Sequence, residues 1–315
     1  MKFGALGDVI MSTALLDAIK RFHHGDEHFV ITSPSYREIF SAFDCAVASF
    51  DRTQMWAIIR YLRSLRCDRI YDLQGNDRTS ILCALASARE RVGNHPRFPY
   101  THHPASRWSG DSHIFERMCE ILNTAGINDI PSRPVLTATG QTRARVAQWF
   151  GKHGLEGQRV VVFHAGASAS RPEKCWPYFR ELAGLCVEQG YTVVYVGGPE
   201  DAAINAELSS GCGIDATAEF SIAEVAELGR HVRFAVTNDS APMHALSAST
   251  TPVFGIFGPS DWRRNHALGQ RDQVIDAGTL LGRDVRAEVV DLAALDVATV
   301  HAFIERRLSN LRASE

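Results

Sequence analysis

No apolar stretch in these 315 residues approaches the roughly 18 that a bilayer-spanning helix needs. No secretory signal is expected, because the N-terminus reaches Gly4, Gly7 and Asp8 before an apolar core can build up. Cysteine is present without a pattern. The seven residues at 45, 67, 83, 119, 175, 186 and 212 are odd in number and show no C-x-x-C spacing. That argues against a disulfide framework or a zinc site and fits a reduced cytoplasm. There is no repeat of 20–50 residues and no low-complexity tract. The net charge is only −3, which calls for no nucleic-acid partner, although the first 150 residues sum to +3 and the remainder to −6. What the chain does have is apolar side chains, 45% of the total, enough for a full core at this length and most simply arranged as two domains.

The most informative stretch is Arg233–Asp261, RFAVTNDSAPMHALSASTTPVFGIFGPSD. Its apolar run Phe234–Val236 predicts a buried strand that stops at Thr237-Asn238-Asp239-Ser240, side chains that prefer turns and helix N-caps. Pro242 suits the first turn of a helix, which continues through Met243–Ser249 until Thr251-Pro252 ends it. Val253–Phe257 predicts a second buried strand, closed by Gly258-Pro259. Strand, polar turn, helix and strand make half of a parallel βαβ arrangement, whose functional edge is the carboxyl end of its strands. A helix N-terminus there offers N–H groups to an anion such as a diphosphate. Asp239 would repel that anion, so it caps the helix or accepts from a hydroxyl. His244, one turn in, reaches a phosphate or a sugar. The plainer alternative is that Asp239 and Ser240 only cap and His244 packs.

Elsewhere the same alternation recurs. Gly4-Ala5-Leu6-Gly7-Asp8 is a turn running into an amphipathic helix that ends near Phe22. Such a turn normally follows a strand, yet only Met1-Lys2-Phe3 precede it. A first strand is therefore expected to be missing or truncated, through an internal start or because other residues supply it. Asp8 sits at the helix start, where the dipole favours its anionic form, and a plain N-cap aspartate is the bland account of it. Strands are expected at 29–32, 46–50 and 69–73, with helices at 36–43 and 55–65 between them. Arg60 and Arg63 form a basic stripe on the latter helix, either for phosphates of an acceptor or as an ordinary solvated face. Residues 91–111 read as a long loop holding His95, His102 and His103, without the carboxylates or spacing of a defined metal site. Gly126–Pro134 is the linker candidate, which divides the chain into 1–133 and 134–315.

The second half predicts a helix near Thr142–His153 and a strand at Arg159–His164, followed by HAGASASRPEKCWPYF. Gly166 and Ala167 permit close backbone approach to a ligand, and Lys174 supplies a point charge suited to a diphosphate. A further strand, Tyr191–Val196, ends at Gly197-Gly198-Pro199, and an acidic residue at that position commonly accepts from ribose hydroxyls. Ser221 and Glu224 make a capping box for the helix at 221–229. An amphipathic helix is expected at Ala294–Leu311.

Four separated segments, GALGDVI, DLQG with R-x-S after it, HAGA…EKCWP and NDSAPMH…FGPSD, together resemble glycosyltransferase family 9, the ADP-heptose:lipopolysaccharide heptosyltransferases. Ala241 stands where the family pattern has glycine. The resemblance implies an α/β fold of the GT-B type, two Rossmann-like domains with parallel sheets facing across a cleft. The first would bind the acceptor and the second the nucleotide sugar, with the last helix crossing back. It implies inverting transfer of heptose from ADP-heptose to an inner-core sugar hydroxyl of lipopolysaccharide, with no required cofactor or metal. Asp8 would be the general base. Gly166, Ala167, Lys174, Glu200, Asp239, Ser240, Ala241 and His244 would surround the donor, with Lys174 on the diphosphate and Glu200 on the ribose. The setting implied is the cytoplasmic side of a Gram-negative inner membrane, with the lipopolysaccharide core as partner. Three alternatives stay open: a relative using another nucleotide sugar or a protein acceptor, a non-catalytic nucleotide-sugar-binding protein, and a dinucleotide oxidoreductase. The last is disfavoured, since GALGDV lacks the G-x-G-x-x-G spacing.

Overall fold

A computed structural model describes residues 1–94, 98–168, 170–283 and 290–313. The chain divides into two compact units, Met1–Thr137 and Ala138–Glu315.

The first unit runs α1 (Leu6–Phe22), β1 (Phe29–Thr32), a 3-10 turn (Pro34–Phe40), β2 (Ala46–Ser49), α2 (Met55–Leu65), β3 (Arg69–Tyr71), α3 (Asp77–Leu85), β4 (Glu90–Val92) and α4 (Ile114–Asn123). Strands β1 and β2 pair in parallel, as do β3 and β4. The N-terminal residues lie between the two pairs. Lys2 N donates to Ile31 O at 3.1 Å on one side, and Leu73 N donates to Met1 O at 3.1 Å on the other. Met1 N donates to Tyr71 O at 2.6 Å. Three residues thus satisfy backbone groups that a missing central strand would have left exposed. Phe3 anchors the segment in a core with Ile31, Ile58, Leu62, Ile70 and Leu82. Gly4 follows at φ +143°, a conformation that L side chains rarely adopt, and α1 begins two residues later. The helix expected at 36–43 is instead the tighter 3-10 turn begun by Pro34.

The second unit runs α5 (Gly140–Lys152), β5 (Val160–His164), α6 (Phe179–Glu188), β6 (Thr192–Gly197), α7 (Ala202–Ser209), β7 (Ile214–Thr217), α8 (Ile222–Gly229), β8 (Ala235–Asn238), α9 (Ala241–Leu246), β9 (Val253–Phe257), α10 (Trp262–Asn265), β10 (Val274–Asp276), α11 (Ala277–Leu280) and α12 (Val297–Ala313). Its six strands form one parallel sheet in the order β10-β9-β8-β5-β6-β7. Strands β5, β8 and β9 are buried along their whole length, as expected when helices cover both faces of a parallel sheet. The core gathers Phe163, Trp176, Phe179, Tyr195, Phe234 and Phe254, and α12 adds Phe303, Ile304 and Leu308 to it. The capping box of Ser221 and Glu224 forms at the start of α8.

Candidate active site

The strand order of the second unit reverses between β5 and β8. From β5 the chain winds outward through β6 and β7, then resumes at β8 and winds the other way. In open parallel sheets, ligands bind outside the carboxyl ends of the strands at such a switch point. His164 pairs with Thr237 at this edge, so the segments after β5 and β8, His164–Gly166 and Asn238–Ser240, emerge side by side.

Asn238 ties them together. Its buried amide donates to Ala165 O at 2.7 Å and Gly166 O at 3.2 Å, and its Oδ1 accepts from Trp176 N at 3.1 Å. One side chain therefore clips the loop after β5 to the backbone that carries Lys174. Trp176 is held at its other end by its indole N–H on Leu295 O, 2.8 Å away. The 3-10 turn Pro172–Lys174 presents Lys174, whose Nζ lies 2.6 Å from Asp239 Oδ2. Asp239 also accepts from Ser260 Oγ at 2.7 Å and from Asn265 Nδ2 at 2.8 Å. It does not cap the helix as the sequence had left open; Ser240 holds the N-cap position of α9 and makes no side-chain capping bond. That helix is also shorter than expected, six residues, with His244 on its buried side beside Met243 and Ala245.

A second chain of polar contacts crosses the switch point. Ser240 Oγ lies 2.9 Å from His164 Nδ1, and His164 Nε2 lies 3.3 Å from Asp201 Oδ2. Asp201 is buried and accepts from Gly198 N at 2.9 Å, whereas its neighbour Glu200 is exposed. A Cβ at Gly166 would stand 1.9 Å from Asp201 Oδ1, so only glycine allows the carboxylate to lie against this backbone. Ala167 and Ala241 are half-buried beside these groups.

In the first unit, Asp8 occupies the first turn of α1 but is not its N-cap, a position Ala5 takes without a side-chain bond. Its carboxylate, 29% exposed, pairs with Lys2 Nζ at 3.3 Å. Lys2 is buried and also donates to Leu73 O at 3.2 Å. Burial pulls its pKa below the ordinary lysine value, against the opposing pull of Asp8. Sequence reading missed this lysine, because an N-terminal lysine ordinarily reads as surface. Asp72 of the D-L-Q-G segment is likewise buried. It accepts from the Tyr100 hydroxyl, and from Gln74 N and Gly75 N at 3.0 and 3.1 Å. Arg60 and Arg63 are exposed on α2, and Arg63 Nε donates to Leu85 O at 2.9 Å. His95 lies outside the described residues. Among the described residues no three His, Cys, Asp or Glu side chains converge into a metal-binding group.

A cavity of about 530 Å³ lies in the first unit along β1 and β3, lined by Lys2, Ile19, His28, Arg69 and Leu73 among others.

A profile of glycosyltransferase family 9 (heptosyltransferase) matches residues 55–288. The chain belongs to this family. It is a glycosyltransferase of the GT-B fold class. Lipopolysaccharide heptosyltransferase 3 of Escherichia coli K12 is 22% identical to it over 290 residues, 82% of each chain. Among solved structures, a family 9 glycosyltransferase from Veillonella parvula superimposes with a TM-score of 0.81 at 20% identity, covering 98% of this chain and 97% of its own. The E. coli ADP-heptose lipopolysaccharide heptosyltransferase II gives 0.77 at 19% identity, with coverages of 99% and 98%. At these identities the solved structures speak for the fold.

Proposed function

We propose that this enzyme transfers heptose, with inversion, from ADP-heptose to a sugar hydroxyl of the lipopolysaccharide inner core. The observation that carries the donor half is Lys174 held by Asp239 beside the switch point of the nucleotide-type sheet. A cation there, on a backbone clamped by Asn238, meets a diphosphate without reorganising. The family's heptosyltransferase character, and an E. coli structural relative named for ADP-heptose, support the choice of donor. Gly166, Ala167, Ser240 and Ala241 would line the diphosphate and sugar, Glu200 the ribose, with Asp239 and His244 completing the donor site.

Asp8 would take the proton from the acceptor hydroxyl as it attacks the anomeric carbon, and Lys174 would stabilise charge developing on the departing ADP. Lys2 Nζ, at 3.3 Å, holds the Asp8 carboxylate in place. Arg60 and Arg63 would meet acceptor phosphates. The enzyme would work at the cytoplasmic face of the inner membrane; no helix among the described residues is long and apolar enough to cross one.

Calorimetric titration with ADP-heptose and ADP tests the donor assignment. Wild type should bind in the micromolar range, on the order of −8 kcal/mol. Lys174→Ala should weaken binding and Asp8→Asn should leave it nearly unchanged while slowing transfer by roughly 10²–10⁴. A folded wild type that binds neither compound would sink the assignment.

A further inference from the structure

The first unit carries a face that neither the donor site nor the proton transfer uses, although Arg60 and Arg63 on it would also meet acceptor phosphates. On α2, Trp56, Arg60 and Arg63 recur at i, i+4 and i+7 and so share one stripe, turned away from the buried Ile58 and Leu62. Trp56 is 76% exposed, although tryptophan is ordinarily well covered. On α3, Arg78, Ile81 and Leu85 fall on one stripe in the same way, and Ile81 is 52% exposed. The helices pack side by side, and Arg63 donates to the carbonyl of Leu85, which joins the two stripes at one end. One continuous surface thus mixes an indole and two aliphatic side chains with three guanidinium groups.

The charge around this surface is lopsided. Residues 52–89 hold seven arginines against three aspartates, +4 in a chain whose total is −3. Arg52, Arg60, Arg63, Arg66, Arg78 and Arg89 all lie exposed within it. Exposed apolar side chains interleaved with arginines match the two layers of an anionic bilayer surface. The indole and aliphatic groups enter the boundary between head groups and chains while the guanidiniums meet lipid phosphates. Arginine shares each stripe with the apolar groups, Arg60 and Arg63 with Trp56, and Arg78 with Ile81 and Leu85, so charge is not excluded from the face as it is from the core of a protein interface.

We propose that the α2–α3 face, centred on Trp56, Ile81 and the arginines of the same two stripes, is a docking surface for anionic phospholipid bilayers. This assignment stands whether or not the donor reading does, since it involves neither Lys174 nor Asp8.

Co-sedimentation of the full chain with phosphatidylcholine vesicles, with and without phosphatidylglycerol, tests it. Wild type should pellet with the anionic vesicles at low salt, release as salt is raised, and stay soluble with phosphatidylcholine alone. Trp56→Ser with Ile81→Ser should lower partitioning at least about tenfold, and Arg60→Gln with Arg63→Gln about 25-fold, since each arginine near a charged surface contributes roughly fivefold. All four positions are exposed, so both variants should unfold at the wild-type temperature. Equal binding to neutral vesicles, no binding to either kind, or a Trp56→Ser/Ile81→Ser variant that binds as wild type would each overturn the proposal. So would a wild-type dimer in solution that this variant dissociates, since the face would then bind protein.

Discussion

Replacing Lys174 by methionine keeps most of the side-chain volume and removes the cation facing Asp239. In the wild type that carboxylate has three donors, Lys174 at 2.6 Å, Ser260 at 2.7 Å and Asn265 at 2.8 Å, and its side chain is only 4% exposed. Breaking a buried ion pair from one side typically costs about 3–5 kcal/mol. Ser260 and Asn265 still solvate the remaining charge, so the lower end, about 3 kcal/mol, is expected here. For a unit of this size, each kcal/mol lowers Tm by roughly 2–4 °C, giving a fall of about 6–12 °C. Asp239→Asn alone should destabilise as well. The pair Lys174→Met/Asp239→Asn should lose less than the two single losses added, by about 2 kcal/mol. Thermal and denaturant unfolding of the four proteins measure that cycle. Additivity within about 0.5 kcal/mol would refute the reading of Lys174 and Asp239 as one buried unit. The same cycle matters for donor binding: a Lys174 variant that loses ADP affinity must first be shown to be folded at the titration temperature.

Asn238→Ala should leave Ala165 O, Gly166 O and Trp176 N without their partner and lower stability by about 2–4 kcal/mol, read by denaturant unfolding; a change near zero would mean that water replaces the amide at no cost. Gly166→Ala should drive Asp201 off its place, because the new Cβ would lie 1.9 Å from Oδ1, and lower stability by about 1–3 kcal/mol with loss of the His164 contact in a crystal structure. Burial pushes the thiol of Cys186 up to about 12, so thiolate should be only about 10⁻⁴ of it at pH 8 and alkylation at that position in the folded enzyme correspondingly slow. Modification of Cys186 as fast as in the denatured chain would contradict that burial.

How much of this was legible beforehand depended on whether a residue's partner was near it in sequence. The buried strands β5, β8 and β9 could be read because a continuous apolar run ends in turn residues, and the α8 cap because Ser221 and Glu224 are three residues apart. β4 carries three residues with charged Glu90 and Arg91 at its start, which no alternation signals. Met1–Phe3 is too short for any period, yet it completes the bonding between β1 and β3. Asp239 offered the local signal of a helix cap, and the structure gives it to a lysine 65 residues earlier instead. Glu200 and Asp201 are adjacent acids with the same local signal after β6. Only the three-dimensional placement of Gly166 and His164 decides that Asp201 turns inward.

These non-local partnerships share a physical cause. At the switch point two strands with distant sequence positions end together, so their polar termini must be satisfied by each other and not by neighbours along the chain. Asn238 reaches back to Ala165 and Gly166, Lys174 forward to Asp239, and Ser240 back to His164. Each contact crosses from the β5 side to the β8 side. Removing any one should therefore loosen the relative placement of both strand ends, and the losses on Asn238→Ala and Lys174→Met should couple when combined. Hydrogen exchange at His164–Gly166 and Asn238–Ser240 would detect this coupling directly. Both segments should open together in either variant. Opening of one alone would show that the contacts act as independent local ties.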